Sequence, residues 1–271
     1  MGAGSHSQSR LERPRPIDLN ADLGERPQAL AEDQEILRAV TSASIACGFH
    51  AGDRATMRVL CELAADLGVA VGAHVSYRDR EGFGRRELEV PAEVLAAEVS
   101  EQIAPLQEQA AAAGSRVRYV KAHGALYNRA ARDRIVAEAV VNGVAAVMAA
   151  GGVAAAGRSL TILCPPASML ARVASERGLD AVSEGFADRA YRADGSLAPR
   201  STAGALLNRE AALLQGLALA EGGPVTTVDG GRLSLPVRSL CLHSDSPGAA
   251  PLAAALRAAL EGAGLTVRAF T

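Results

Sequence analysis

Residues 117–124, Val117-Arg118-Tyr119-Val120-Lys121-Ala122-His123-Gly124, read as a strand that ends in a cation and an imidazole. The run is short, β-branched and aromatic, and it gives way to a glycine-containing polar segment, as a buried parallel strand does at its carboxyl end. Lys121 is also the only lysine among 28 cationic side chains; every other one is arginine. Lysine is a compact point charge and arginine a wide planar fork, so a lone lysine against that bias marks a position that the fork does not suit.

The same arrangement recurs on both sides of this stretch. His50, His74 and His243 each follow a short apolar run and precede polar or glycine-containing sequence. Most of the few aromatic residues (Phe49, Tyr77, Phe83, Tyr127, Phe186 and Tyr191) fall inside or beside these segments. In order, the apolar runs predict strands over 17–20, 43–47, 69–73, 117–121, 160–163, 181–183 and 239–242. A hairpin is predicted over 225–235 and a terminal strand over 265–270. Helices are predicted over 29–40, 53–68, 92–113 (kinked or broken at Pro105), 132–150, 167–177, 202–220 and 249–260. Asp53 reads as the cap of the second helix and Gly68 as its stop.

Alternating strands and helices imply a parallel sheet covered by helices. The polar residues then fall into one class. Asn20, Asp22 and Glu25 follow the first strand, and His50 and Asp53 the second. His74 ends the third, and Lys121 and His123 end the fourth. Glu184, Asp188 and Arg189 follow the sixth, and His243 and Asp245 the seventh. An open sheet offers a ligand crevice along part of its edge, whereas a closed barrel gathers every carboxyl end on one face. Chemistry after six strands therefore predicts a closed β/α barrel. Asp18, within the first strand, is expected to point away from Asn20 and Asp22.

The composition narrows the function. A 271-residue chain with net charge −2 and scattered arginines carries no nucleic-acid footprint. No apolar run has membrane-spanning length, and the first residues lack the apolar centre of a signal peptide, so a cytoplasmic protein is expected. Residues 1–15 read as a disordered tail containing His6, and 16–271 as one domain. The four cysteines have no metal-type spacing. There is no Gly-Lys-Ser/Thr phosphate loop, no His-Glu-x-x-His and no Gly-x-Ser-x-Gly elbow.

Five longer motifs are specific. IDLNADLGE (17–25), SIACGFHAGD (44–53), GFGRR (82–86), KAHGALYN (121–128) and EGFADRAY (184–191) resemble the LamB/YcsF family, whose members form one of the subunits of bacterial 5-oxoprolinase, the one designated A. The resemblance runs from about residue 16 to the C-terminus. It implies a seven-stranded β/α (TIM-like) barrel of the glycoside hydrolase/deacetylase type. It also implies opening of 5-oxo-L-proline to L-glutamate with hydrolysis of ATP, with ATP and magnesium as co-substrate and two companion subunits, B and C. Ser44 stands where Asn is expected, and Arg54, Val75 and Ala122 where Pro is expected, so substrate identity is less tightly implied than reaction class.

Opening a lactam through a phosphorylated oxygen needs cations, a base for water and donors for an oxyanion. Asp22, Glu25, His50, His74, Lys121 and His123 are the expected catalytic set, with Lys121 on the oxyanion or phosphoryl group. Asn20, Arg85, Tyr127, Glu184, Asp188, Arg189, Arg200, His243 and Asp245 are the expected substrate-binding set. Arg86 reads as structural. Two other classes stay open. Asp22 with His50, His74 and His123 would suit metal-dependent hydrolysis, and a pocket without a nucleotide loop would suit a binding or regulatory subunit.

Overall fold

A computed structural model describes residues 16–150, 159–244 and 248–271. Seven parallel strands close into a barrel: β1 (Asp18–Leu23), β2 (Ser42–Ala46), β3 (Ala70–Val75), β4 (Val117–Ala122), β5 (Thr161–Cys164), β6 (Ala181–Phe186) and β9 (Ser239–His243). β9 pairs with β6 on one side and β1 on the other, which completes the ring. The antiparallel hairpin β7 (Pro224–Thr226) and β8 (Arg232–Ser234) lies outside it.

Helices α1 (Leu30–Leu37), α2 (Arg54–Leu67), α3 (Ala92–Ala112), α4 (Gly124–Ala130), α5 (Arg134–Ala150), α6 (Met169–Glu176), α7 (Arg209–Ala220) and α8 (Ala249–Gly262) accompany the strands. Their ends follow local chemistry. Asp53 accepts the amide of Thr56 at 2.8 Å and caps α2, and Gly68 ends it at φ +68°. Ser168 and Asn208 cap α6 and α7 in the same way. The Asn208 cap starts α7 seven residues later than expected.

Other departures have physical reasons. α3 runs unbroken through Pro105, because Leu95, Val99, Ile103, Leu106 and Ala110 bury one continuous face. That burial outweighs the hydrogen bond the proline removes. The expected 132–150 helix is preceded by the short α4, which begins directly after β4. The expected terminal strand is reduced to one bridge between Ile17 and Val267, since both edges of β1 are already taken by β2 and β9.

Period-two alternation sorts the barrel. On β1, Leu19, Ala21 and Leu23 belong to the hydrophobic layer shared with the helices. Asp18, Asn20 and Asp22 all face the interior, so the expectation that Asp18 diverges from the other two was wrong: residues two apart share a face. Asp18 accepts from Thr41 Oγ1 at 2.7 Å, from Ser42 Oγ at 2.8 Å and from Ser239. Next to it the Tyr119 ring fills the space above Gly72, where a Cβ would lie 2.2 Å from the ring. Tyr119 Oη meets Ser44 Oγ at 3.1 Å.

Candidate active site

The interior changes character towards the carboxyl ends of the strands. Lys121, 1% exposed, sits between Asp22 Oδ1 and Glu184 Oε1, each 2.8 Å from Nζ, with Cys241 Sγ at 3.1 Å. Nζ donates to Asp22 and to Cys241, and Glu184 completes the surroundings as an ion-pair partner. Burial opposes the charge on Lys121, but Asp22 and its other neighbours outweigh it and hold the pKa well above the ordinary value. Asp22 is correspondingly lowered: burial would raise it, while His74 and Lys121 pull it down. Glu184 also accepts from Asn20 Nδ2 at 3.0 Å and Tyr127 Oη at 3.1 Å. The end-on contact expected between Lys121 and a substrate would require it to release one of these partners.

Beside this knot, three histidines and one carboxylate converge. Glu25 reaches them from the turn after β1, His50 from the loop after β2, His74 from β3, and His123 from the residue before α4. Glu25 Oε1 lies 3.3 Å from His50 Nε2, 3.5 Å from His74 Nε2 and 3.0 Å from His123 Nδ1. His50 and His123 stack 3.9 Å apart, and His74 meets both edge-on. Burial with the neighbouring His123 pushes His50 down to about 3. Burial would also lower His74, but Asp22 and Glu25 carry it up to about 9. Burial opposes Glu25's charge, yet hydrogen bonds from the three imidazoles hold its carboxyl well below the usual range.

The loop after β3 closes over this cluster. Phe83 packs edge-on against His50 and His123, and its carbonyl accepts from His123 Nε2 at 2.9 Å. Asp79 gathers the loop by accepting from Gly82 N at 3.0 Å and Arg86 Nε at 2.9 Å, the structural role expected of Arg86. Gly84, at φ +64°, leaves no room for a side chain: a Cβ would lie 2.8 Å from His123 and 2.9 Å from His50.

A second imidazole–carboxylate pair stands across the pocket. Both oxygens of Asp188 lie 3.1 Å from His243 Nδ1, and the His243 ring stacks on Phe186 at 5.2 Å. Asp188 is lowered: burial works against its charge, and His243 overcomes it. A carboxylate can only accept, so Nδ1 donates, and in the neutral ring the lone pair lies on Nε2.

One pocket at this face is lined by Asp22, Glu25, His74, Arg85, Lys121, His123, Tyr127, Arg189, Arg200 and His243, with Ala122, Asn128, Phe186 and Leu197 among its walls. Asn20 and Glu184 lie beneath it, His50 behind His123, and Asp188 behind His243. Asp53 is an exposed helix cap, and Asp245 falls outside the described residues. The carboxylate that meets all three histidines is Glu25, in the place expected of Asp22: Asp22 gives Oδ1 to Lys121 and reaches only His74, with Oδ2 3.4 Å from Nε2. Cys241 and Phe186 had no assigned role. Cys241 sits two residues beyond Ser239 on the same inward face, and that alternation was the available signal. Of the four family departures, only Ala122 touches the pocket; Ser44 lies deep in the barrel, and Arg54 pairs with Glu108 on the surface. A larger cavity of about 420 Å³ opens at the opposite end, between Gly68, Arg116, Arg118 and Thr271, with no histidine or acidic side chain in its wall.

The LamB/YcsF family model matches residues 17–271. The chain is 52% identical to the A subunit of 5-oxoprolinase from Streptomyces coelicolor over 257 residues, which covers 94% of this chain and 99% of that one. It is 51% identical to the corresponding 5-oxoprolinase chain of Streptomyces avermitilis over the same shares. The lactam utilization protein from Thermus thermophilus superposes with a TM-score of 0.83 at 40% identity, covering 94% of this chain and all of that one.

Proposed function

The chain belongs to the LamB/YcsF family, and on that premise we propose that it is the lactam-handling subunit of an ATP-dependent 5-oxoprolinase that opens 5-oxoproline to glutamate. What carries the reading is near-full-length identity to relatives named for that activity, together with a pocket holding three arginines opposite an oriented imidazole. Among the described residues no helix is long and apolar enough to cross a membrane.

An unstrained lactam is a poor electrophile. Transfer of the γ-phosphoryl group of ATP to the lactam oxygen, with release of ADP, converts that oxygen into a leaving group. Water then adds to the ring carbon, the C–N bond breaks and the ring nitrogen leaves with a proton to give a glutamyl acyl phosphate, and a second water cleaves that to glutamate and phosphate. Arg85, Arg189 and Arg200 supply the planar donors that suit the substrate carboxylate and the phosphoryl oxygens. His243 Nε2, fixed as the lone-pair nitrogen by Asp188, takes the proton from water and returns it to the ring nitrogen. Lys121 contributes a fixed positive charge beneath the reacting carbon while remaining bound to Asp22 and Glu184.

The sequence contains no phosphate-binding loop of the Walker type, so the nucleotide is assigned mainly to the companion B and C subunits, with magnesium accompanying ATP. The segments around 75–90 and 184–200, which border the pocket, are the proposed docking face. The test is glutamate formation from 5-oxoproline with ATP and magnesium, by this chain alone and then with both companions. Little turnover alone and robust turnover together is expected. His243→Gln should cut turnover in the complete complex at least about a hundredfold. A His243→Gln complex as active as wild type would show that the pocket only binds. Release of glutamate without ATP would instead favour a metal-dependent amide hydrolase, a reading that the Glu25 and histidine cluster keeps open.

A further inference from the structure

The outer nitrogens of two of the clustered histidines are tied to backbone carbonyls. His74 Nδ1 lies 3.3 Å from the carbonyl of Lys121, and His123 Nε2 lies 2.9 Å from the carbonyl of Phe83. A carbonyl accepts and cannot donate, so each ring places its hydrogen on the outer nitrogen. In the neutral rings that metal ligation requires, the inner nitrogens, His74 Nε2 and His123 Nδ1, both turn lone pairs to the centre, 3.1 Å apart. Glu25 Oε1 and His50 Nε2 face the same centre, and all four atoms lie within 4.8 Å of one another. Four electron-rich atoms are buried around one point. A proton on His74 Nε2 would be held by Glu25 and by Asp22 Oδ2, 3.4 Å away, and an ion at the centre would take its place.

We propose that Glu25, His50, His74 and His123 form a binding site for one divalent transition-metal ion of the zinc, cobalt or nickel class. Four ligands held about 2.0–2.1 Å from a tetrahedral ion lie roughly 3.3–3.4 Å apart. Four of the six separations, 3.0, 3.3 and 3.5 Å from Glu25 and 3.1 Å between His74 and His123, bracket that value, and the other two, from His50 to His74 and His123, lie within 4.8 Å. The carbonyl partners of His74 and His123 are the outer contacts that fix the ring orientation of metal-bound histidines. His50 carries independent support: its Nδ1 is buried with no partner, so what it faces at the centre is its main polar anchor. Three imidazoles and one carboxylate suit a borderline ion and disfavour magnesium, which takes oxygen ligands and keeps its waters. The magnesium that accompanies ATP therefore belongs elsewhere.

Glu25, His74 and His123 also line the pocket, so the ion would lie in its wall and supply Lewis acidity there. The site does not depend on the lactam reading, because its ligands are fixed by the fold whatever the substrate.

The test uses the full chain, stripped with chelator and then titrated with cobalt(II) chloride. Visible d–d absorption reports the coordination, and elemental analysis the stoichiometry. One equivalent with the strong bands of a four- or five-coordinate nitrogen-rich site is expected, and the bound ion should raise the melting temperature. His50→Ala, His74→Ala and His123→Ala should each weaken binding by at least about tenfold. Glu25→Gln, which keeps the side-chain volume, should do the same and serves if an alanine variant fails to fold. His243→Ala lies outside the cluster and should bind within roughly twofold of wild type. A folded wild-type chain that takes up no cobalt, or one whose binding survives His50→Ala and Glu25→Gln, overturns the proposal. Displacement of cobalt by equimolar magnesium would overturn the metal class.

Discussion

The two halves of the barrel interior are both polar and both buried, yet they are built from different chemistry. In the lower half, one carboxyl, Asp18, is met by the hydroxyls of Thr41, Ser42 and Ser239, and Ser44 is met by Tyr119. A hydroxyl turns to donate or accept as needed, so this network closes on itself. In the upper half the partners are imidazoles held in place from behind, and their inner nitrogens converge on Glu25. Buried polarity alone therefore does not identify a site. Convergence of several ligating atoms on one point does.

Lys121 joins the halves, and removing it should have the largest effect. Lys121→Met strands Asp22 and Glu184 without their cation and is expected to cost about 3–5 kcal/mol, measured by urea denaturation. A loss below about 1 kcal/mol would mean that the two carboxyls are neutral and the knot is not ionic.

Gly84→Ala attacks the upper half alone. It adds a methyl group at 2.8 Å from His123 at a left-handed backbone position, and overpacking of this kind costs about 1–3 kcal/mol. Gly68→Ala is the control: Gly68 has a similar φ of +68° but nothing within 4 Å. Gly84→Ala should lose most activity in the complete complex, and Gly68→Ala should keep it. Equal losses would sink the claim that the loop positions the histidines.

Asp18→Asn sharpens the contrast from below. Burial raises Asp18 from 3.8 to about 6, so the folded chain holds this proton more tightly than the unfolded one. That stabilising contribution is complete below the ordinary value and is lost as pH rises through about 6. Ionised Asp18 thus costs the fold up to roughly 3 kcal/mol at neutral pH. Asp18→Asn should raise the melting temperature at pH 8 and do so less at pH 5. A larger gain at pH 5 would reverse the assigned direction. The smallest effect is expected from Tyr119→Phe, which removes one hydroxyl contact worth about 1 kcal/mol and should leave activity unchanged.

The barrel was legible because short apolar runs alternate with helical segments and because polar residues follow six of the seven runs. The fourth strand by itself shows an apolar run giving way to a polar end. Helix ends were legible where a capping side chain announced them, as at Asp53. Pro105 does not break α3, because the tertiary burial that holds the helix together is not a local property. The identities of the site residues were legible from the same strand-end rule, but their division of labour was not. Asp22 and Glu25 differ by one turn of backbone at Gly24, and only the folded chain shows that the first bridges Lys121 and His74 while the second meets all three histidines. Asn20 and Glu184 likewise read as substrate contacts and sit one layer too deep.

The scarcity of lysine has an experimental consequence. The sole ε-amine of the chain is 1% exposed and ion-paired inside the barrel. Amine-directed reagents such as active esters therefore meet no lysine on the folded surface. Acylation at Lys121 requires the strands around it to part, so its rate is a clock for barrel opening. One peptide mass, followed over time with and without a pocket ligand, would report how firmly that ligand holds the barrel shut.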